Sequence, residues 1–300
     1  MRVAIEETGS DVTQWVTALH REARDEDIRA FHSGPMARTF GSAWLDFALR
    51  GTDVFHASPL TPCAPRRAKL TATVSDLSFW LMPRLHTPTQ TRAAHLFAEK
   101  ILKPAQGLIA VSESARQDAI QLLGLTPEKI TTIYPGVSAE FFDAQPAPRE
   151  RPYVLALGAE QPRKNSQAVT EAWQSLKPEV RRVFDLVVAA APTPALMAGA
   201  ALFVDVPLYE GFALAVAQAT AAGVAVVTSD SSSMPEVGRD AALMVDPHSA
   251  SEIAAAITRL LESESERAKL ARYGRARAEK YRWEHCAAES LAFFQRILAR

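Results

Sequence analysis

The chain has 300 residues and a mass of 32.7 kDa, which is long enough for two domains of ordinary size. Its 33 basic and 34 acidic side chains give a net charge of −1, which argues against a nucleic-acid-binding surface. No apolar run reaches the roughly 18–20 residues of a membrane-spanning helix. The two cysteines exclude a disulfide framework and a four-cysteine zinc site. We therefore expect a globular protein of a reducing, cytoplasmic compartment with no nucleic-acid partner.

Short apolar runs alternate with longer helical patterns along the chain. Most runs are rich in Val, Ile, Leu and Ala without strict alternation, as in strands that are buried on both faces. The predicted strands are residues 2–5, 28–32, 53–57, 69–74, 107–111, 129–134, 153–157, 185–190, 200–206, 223–228 and 241–245. Helical patterns between them include residues 112–123, 165–176, 212–222 and 249–262, the last with a capping-box pattern of Ser249 and Glu252. This alternation predicts an α/β protein with parallel sheets covered by helices.

A domain boundary is predicted at residues 144–152, AQPAPRERP, which contain three prolines and no apolar stripe. A new strand begins directly afterwards, as expected at the start of a second domain. We therefore predict an N-terminal domain of residues 1–145 and a second domain of residues 146–281. Because ligands of such sheets lie outside the carboxyl ends of the strands, a cleft between the domains is the expected site.

The segment LGAEQPRKN, residues 157–165, follows a predicted strand and opens a predicted helix. Gly158 permits a turn there, and Arg163 and Lys164 lie near the helix N-terminus. Backbone N–H groups and the helix dipole favour an anion at that position, and a phosphate group suits it. The alternative interpretation is two solvated charges in a surface loop.

The segment PLYEGFALAVAQATAAG, residues 207–223, contains a carboxylate and an amide that suit the binding of sugar hydroxyls. Glu210 and Gln218 are eight residues apart, slightly more than two turns at about 3.6 residues per turn. This spacing predicts that both side chains lie on one helix face. The alternative is that Glu210 caps the next helix and Gln218 is a surface polar residue.

A third segment, SSSMPEVGRDAALMVDP, spans residues 231–247 and by itself is interpreted as a connecting loop without chemistry. A D-x-D pattern at Asp25 and Asp27 is interpreted as a solvated face, because its surroundings are rich in charge. The seven histidines have no metal-ligand spacing. The sequence therefore predicts no metal site.

Taken in order, the three segments resemble the second domain of the group 1 (family 4) nucleotide-sugar glycosyltransferases. The similar pattern is G-x-x-x-P-R-K-N, then E-G-F before a helix, then P-E-V with D-A-A-L-x-V-D-P. Earlier segments, DVFHASPLTP, TATVSDLSFW and LIAVSESARQDAIQLLGLTPEKITTIYPGV, are also similar to this family, as is the closing YRWEHCAAESLAFFQRIL. The resemblance implies two facing Rossmann-like domains in the GT-B architecture. It also implies that a final helix within residues 282–300 returns to the N-terminal domain.

The resemblance further implies which residues form the site. Lys164, helped by Arg163, would hold the donor diphosphate, and Gln218 would reach the ribose hydroxyls. The implied catalytic residues are Glu210, which would contact the transferred sugar, with Asp76 and Ser75 at the end of a first-domain strand. The implied donor-binding residues are Gly158, Arg163, Lys164, Glu210, Gly211, Phe212, Ala213, Leu214 and Gln218.

Three departures identify a trimmed, divergent member. Ser75 stands where the family commonly has histidine, and Gln218 stands where it usually has a second glutamate. The stretch of chain from residue 185 to residue 200 is also short, whereas the family has a further helix, strand and base-binding loop in this region.

The function implied by the resemblance is retaining, metal-independent transfer of a hexose from a nucleoside diphosphate sugar, with no other cofactor. The acceptor would be the hydroxyl of a sugar, glycan or lipid-linked molecule, as in the synthesis of cell-surface polysaccharide or glycolipid. Membrane contact would be at most peripheral, at the inner face; residues 84–103 suit either that contact or a packed amphipathic helix. The alternative is a non-catalytic relative that binds a sugar nucleotide or supports a partner transferase. A sugar-nucleotide epimerase of this fold would need clustered acids and a histidine that the sequence does not supply.

Overall fold

The computed structural model describes residues 1–23, 26–158 and 161–300. The chain divides into two units, each with its own parallel sheet. The first unit contains Met1–Gly136 and Trp283–Arg300, and the second contains Val137–Arg282. The proline-rich residues 144–152 lie inside the second unit.

The first unit contains a six-stranded parallel sheet with the order β2-β1-β3-β4-β5-β6. Its strands are β1 (Arg2–Glu6), β2 (Asp27–Phe31), β3 (Val54–Ala57), β4 (Lys69–Val74), β5 (Gly107–Ala110) and β6 (Ile130–Thr132). Its helices before residue 137 are α1 (Ser10–Glu22), α2 (Gly34–Ala48), α3 (Ser78–Leu81), α4 (Pro88–Phe97) and α5 (Glu113–Leu123). Strands β3 and β5 are buried at every position, which explains their unbroken apolar sequences.

The second unit contains a five-stranded parallel sheet with the order β11-β10-β9-β7-β8. Its strands are β7 (Tyr153–Leu157), β8 (Asp185–Ala189), β9 (Leu202–Asp205), β10 (Val226–Ser229) and β11 (Ala242–Val245). Its helices are α6 (Ala139–Phe142), α7 (Ser166–Ser175), α8 (Pro178–Val183), α9 (Pro194–Ala198), α10 (Leu214–Ala221), α11 (Met234–Gly238), α12 (Ala250–Glu262) and α13 (Glu264–Ala278). Apolar side chains of β7 and β9 form one core with α7 and α12.

The short connection after β8 leaves one edge of the second sheet thinly covered. Between β8 and β9 the chain forms only the single-turn helix α9. Strand β8 is half-buried rather than buried, and Val188 is 52% exposed. Because the connection after β8 is short, few other residues cover this edge strand.

Serine side chains cap the starts of α5 and α12, although the predicted capping box of α12 is incomplete. Ser112 accepts a hydrogen bond from the backbone N–H of Ala115 at the start of α5, and Gly124 ends that helix in the left-handed conformation (φ 66°). Ser249 likewise accepts a hydrogen bond from the N–H of Glu252. The Glu252 carboxylate, however, accepts from the N–H of Asp246, so the predicted capping box is only half formed.

The last helix, α14 (Trp283–Leu298), belongs to the first unit and packs against α1. Phe293, Phe294 and Ile297 join the core that contains the apolar side chains of β1. The indole N–H of Trp15 donates to Ser290 Oγ at 3.1 Å, which links the two helices across 275 residues of sequence. A helix at the end of the chain therefore completes a core that begins at residue 3.

Candidate active site

The first part of the site follows β7, where Gly158 permits a close approach of two strands. The Gly158 N–H donates to the carbonyl of Ala189 at 2.9 Å. A Cβ on this residue would lie 2.5 Å from Cγ1 of Val188, so any larger residue would require the Val188 side chain to move. The next two residues of the predicted phosphate loop, Ala159 and Glu160, lie outside the described residues.

The conformation of Asn165 fixes the basic turn that follows. Pro162–Lys164 forms a 3-10 turn, and Asn165 ends it with φ 55° and ψ 30°. The Asn165 amide donates to the carbonyl oxygens of Val206 at 3.0 Å and Pro247 at 2.7 Å. The turn is thereby attached beyond the carboxyl ends of β9 and β11. The sequence pattern indicated no role for Asn165, although its place between the basic pair and a helix could have indicated one.

Three predicted site residues meet in one half-buried charge cluster. Arg163 Nη1 lies 3.3 Å from Glu210 Oε1, and the Lys164 ammonium forms a short ion pair with the same oxygen. Their side chains are only 13–21% exposed. Arg163 also donates to the carbonyl oxygen of Tyr209 at 3.1 Å. Two cations share one carboxylate, so the cluster carries an excess positive charge that suits an anionic ligand.

Serines of the third sequence segment hold the main chain at Glu210. Its carbonyl oxygen accepts hydrogen bonds from Ser232 Oγ at 2.6 Å and Ser233 Oγ at 2.8 Å. Its N–H donates to Ser232 Oγ at 3.3 Å, and Ser232 itself has φ 54°. The segment is a connecting loop, as interpreted, and it also supports the main chain at Glu210. Three consecutive serines at the end of a predicted strand were the signal that would have indicated it.

Asp205 is a further carboxyl beside the cluster that sequence analysis missed. It is the last residue of β9 and is only 4% exposed. Burial raises the pKa of Asp205 to about 7; the charge of Glu210 adds to the rise, and those of Lys164 and Arg163 oppose it. An aspartate inside the apolar run LFVDV was the sequence signal. Asp205 therefore gains or loses its proton near neutral pH, under the influence of the charges in the cluster.

The segment after Glu210 differs from the predicted helix. Gly211, Phe212 and Ala213 are buried, and α10 begins only at Leu214. Glu210 therefore precedes the helix, and the prediction that Glu210 and Gln218 share a helix face was wrong. Gln218 is half-buried on α10, and its side-chain amide makes no hydrogen bond to another residue of the described ranges. Its amide is available to a ligand.

Ser75 and Asp76 lie in the first unit, directly after β4. Ser75 is exposed, and Asp76 is half-buried. Asp76 Oδ1 accepts a hydrogen bond from the N–H of Ser78 at 2.7 Å, where α3 begins. The other predicted site residues all belong to the second unit.

The structure contains no candidate metal cluster among the residues it describes: no three His, Cys, Asp or Glu side chains come together as ligands. Of the D-x-D pattern, Asp25 lies outside those residues. The intervening Glu26 forms an ion pair with the amino group of Met1. In the described parts of the chain, every helix is too short or too polar to cross a membrane.

Comparison with known families places the chain in a defined group of enzymes. The family model for Glycosyltransferase Family 4 matches residues 9–141, and the model for Glycosyl transferases group 1 matches residues 192–277. The chain belongs to the group 1, family 4 glycosyltransferases. The second match includes Glu210, Ser232 and Gln218, whereas the basic pair lies before it.

This glycosyltransferase is 27% identical over 266 residues to the O-antigen chain mannosyltransferase B of Escherichia coli, an alignment that covers 75% of this chain and 70% of the relative. It is also 27% identical over 234 residues to the MMP alpha-(1->4)-mannosyltransferase of Mycolicibacterium hassiacum. That alignment covers 67% of this chain and 57% of the relative. The chain thus spans little more than half of the second relative's length.

Solved structures share its fold over nearly the whole chain. Anabaena HepE in complex with UDP has a TM-score of 0.75 at 16% identity, covering 98% of this chain and 100% of that chain. Sucrose-phosphate synthase from Thermosynechococcus elongatus has a TM-score of 0.76 at 16% identity, covering 100% and 99%. The predicted α/β GT-B architecture with two Rossmann-like domains is confirmed.

Proposed function

We propose that this glycosyltransferase moves a hexose from a nucleoside diphosphate sugar to a hydroxyl acceptor, with retention of anomeric configuration and without a metal ion. The observation that carries the proposal is the cluster of Arg163, Lys164 and Glu210 in an enzyme of this family. The donor class is also the one named for the neighbour HepE, which was solved with UDP and with UDP-glucose.

The diphosphate is assigned to the basic pair. As the glycosidic bond of the donor breaks, negative charge grows on the leaving phosphate, and fixed cations in a partly dry site stabilise it. Arg163 and Lys164 are held by the turn that ends at Asn165, so little reorganisation is needed. Two organic cations supply the charge that a divalent ion supplies in other transferases, which is why we propose a metal-independent reaction.

The remaining donor contacts are assigned to the segment from Glu210 to Gln218. Glu210 accepts hydrogen bonds from the transferred hexose once the diphosphate has taken over its cations. The loop formed by Gly211, Phe212 and Ala213 approaches sugar and phosphate at the N-terminus of α10. Gln218 hydrogen-bonds the ribose. Gly158 keeps the loop after β7 close to the sheet.

The acceptor side is assigned to Ser75 and Asp76 in the first unit, which orient the attacking hydroxyl. The bond between C1 and the leaving phosphate oxygen breaks while the acceptor oxygen bonds to C1 on the same face. The acceptor proton passes to the leaving phosphate oxygen. Because that oxygen is the base, serine is tolerated at position 75 in place of a stronger base.

The names of the relatives support a proposal for the sugar and the acceptor. Both relatives described above are mannosyltransferases by name, and one acts on an O-antigen chain. We propose mannose as the hexose and a growing cell-surface polysaccharide or glycolipid as the acceptor. The free thiols Cys63 and Cys286 suit a cytoplasmic enzyme, with peripheral contact at the inner face of the membrane.

A non-catalytic relative is the second candidate, favoured by Gln218 and by the thin edge at β8. Such a protein binds the nucleotide sugar without transferring or hydrolysing it. Turnover therefore separates the two candidates.

The test has two stages. Thermal shift against UDP, GDP and ADP comes first, because a ligand that binds the folded state raises the melting temperature by mass action. We expect one diphosphate to stabilise the protein; if none does, the donor proposal is wrong. The matching sugar donor is then incubated with alkyl mannosides in EDTA. Transfer with retained configuration supports the proposal, and transfer that requires added metal contradicts metal independence.

A further inference from the structure

A cavity in the first unit lies against the proposed acceptor residues. Its volume is about 250 Å³, and its lining includes Ser75 and Asp76 after β4. Three aromatic side chains, Phe79, Trp80 and Phe97, contribute to its wall from α3 and α4. Every lining residue belongs to the first unit, so this unit by itself forms the cavity.

Two aromatic walls of the cavity each pack against a histidine ring. The ring of Trp80 stacks on His95, with centroids 4.5 Å apart and an angle of 18°. The ring of Phe79 packs on His86 at 4.2 Å. A pocket with walls fixed in this way is formed before its ligand arrives, as in most small-molecule sites.

Most of the cavity surface is hydrocarbon. Besides the aromatic rings, the apolar lining consists of Pro59, Val74, Leu77, Ala93, Ala94 and Leu102. Two polar lining groups already have partners: Thr73 Oγ1 is hydrogen-bonded to His56 Nε2 at 2.9 Å, and Gln90 Oε1 accepts from the Thr87 N–H at 3.0 Å.

The apolar lining favours a hydrocarbon part of an acceptor over a sugar part. A hexose inside the cavity would bring several hydroxyls that need hydrogen-bond partners, and their desolvation without partners is unfavourable. A hydrocarbon group has no such requirement. The polar strand end at Ser75 and Asp76 suits the hydroxyl-bearing part, and the aromatic interior suits an apolar part.

We propose that this cavity binds a hydrocarbon group joined to the accepting sugar, so that the acceptor is an amphipathic glycoside. The inference rests on the proposed function, because it gives the acceptor of that reaction its chemical class. The sugar lies at Ser75 and Asp76, and the chain attached to it enters between Trp80 and Phe97.

The first test compares hexyl α-mannoside with methyl α-mannoside, bound to the unliganded protein in calorimetric titrations below the micelle concentration. Each methylene that leaves water is worth a factor of roughly four in affinity. Burial of three of them gives on the order of fiftyfold. We expect the hexyl glycoside to bind at least tenfold more tightly. Equal affinities would overturn the proposal.

A second test fills the cavity. Ala94 lines it from the middle of α4, and Ala94→Phe places a ring inside. The matched control is Thr89→Phe, on an exposed position of the same helix outside the lining. We expect Ala94→Phe to abolish the preference for the hexyl glycoside and Thr89→Phe to keep it. A preference that survives in a folded Ala94→Phe variant contradicts the assignment.

Nucleotide binding, measured on the same samples, separates this inference from the proposed function. The donor residues are in the second unit, so Ala94→Phe should leave the affinity for the nucleoside diphosphate unchanged. Normal nucleotide binding and transfer without any chain preference would overturn the cavity assignment alone. Absence of nucleotide binding in the wild type would overturn the proposed function.

Discussion

Glu210 acts as a counter-charge for two cations that would otherwise be unfavourable neighbours. Arg163 and Lys164 are adjacent in sequence and half-buried, so their positive charges repel each other. The Glu210 carboxylate touches both and relieves that repulsion. A diphosphate carries more negative charge than one carboxylate, and it can replace Glu210 as the partner of both. In the proposed reaction, the donor diphosphate takes the place of the Glu210 carboxylate beside the two cations.

Lys164→Ala tests this exchange directly. A charge-assisted hydrogen bond is worth about 1.5–3 kcal/mol, so its loss should weaken binding of the nucleoside diphosphate by roughly ten- to a hundredfold. Calorimetry measures the affinity. Lys177→Ala, an exposed lysine of the same unit, is the matched control and should bind normally. Unchanged affinity in Lys164→Ala would remove this residue from the site.

Gln218→Glu should tighten nucleotide binding by about 1 kcal/mol, or roughly fivefold. A carboxylate accepts from two ribose hydroxyls at once, whereas an amide offers one acceptor oxygen and an NH₂ donor. Paired titrations of wild type and variant measure the difference. Gln121→Glu, on an exposed face of α5, controls for added charge. Equal or weaker binding would mean that the short connection after β8 lets the nucleotide bind away from Gln218.

Asp205 should make the stability of the protein depend on pH. In the folded state it keeps its proton up to about pH 7, whereas the unfolded chain releases it near the ordinary value of 3.8. Between those values the folded state binds more protons, so this residue's contribution to stability falls as the pH rises. Asp205→Asn abolishes that fall. The charged groups that influence the pKa of Asp205 are Lys164, Arg163 and Glu210.

Urea unfolding at pH 5 and pH 8 measures this effect. When the pH is raised from 5 to 8, the free energy of unfolding of Asp205→Asn should increase, relative to that of wild type, by up to about 3 kcal/mol. Asp230→Asn, an exposed aspartate just after β10, should show no such gain. A stability difference between Asp205→Asn and wild type that is the same at both pH values would contradict the protonated state of Asp205.

At the scale of elements, the basic turn depends on one asparagine. Asn165 combines a left-handed backbone with two hydrogen bonds to carbonyl groups that follow separate strands. Asparagine is one of few residues that tolerate this conformation. A local side chain and a local dihedral angle therefore determine where Arg163 and Lys164 lie relative to Glu210.

Two substitutions separate the contributions of Asn165. Asn165→Gly loses both hydrogen bonds, each worth about 1 kcal/mol, but accepts the positive φ. Asn165→Ala loses the same bonds and adds the cost of a β-carbon in the left-handed region, about 1–2 kcal/mol. Chemical denaturation should therefore find the alanine variant less stable than the glycine variant. Equal stabilities of the two variants would show that alanine adopts this backbone conformation without an energetic cost. Both variants should also bind nucleotide more weakly than wild type.

At the scale of the whole molecule, the first unit depends on the last helix of the chain. Phe294 of α14 is fully buried in the core that contains Val3 and Ile5. Phe294→Ala should cost about 3–5 kcal/mol of the free energy of unfolding. Phe47→Ala, on a side chain that is 68% exposed in the same unit, should change it by less than about 0.5 kcal/mol. Urea unfolding measures the free energy of unfolding of both variants. A similarly small change in both would mean that α14 is not part of the core.

The sequence alone determined the elements of this protein. All eleven predicted strands occur in the described ranges. Strands such as β3, β5 and β9 are buried at every position, which leaves continuous apolar runs in the sequence. The left-handed end of α5 at Gly124 depends only on local dihedral angles, which glycine adopts without steric cost. The family could also be predicted from the sequence, because its motifs are short and collinear.

Tertiary structure decided how those elements work together. Ser232 and Ser233 hold Glu210 from 22 and 23 residues away, and no local pattern specifies such a contact. Helix α10 begins four residues after Glu210 because the intervening loop is buried, which overrides the helical spacing in the sequence. The proton on Asp205 depends on burial and on three charges from other segments. Periodicity reports which side faces the core, whereas the site depends on distances between residues far apart in the chain, and only folding determines these.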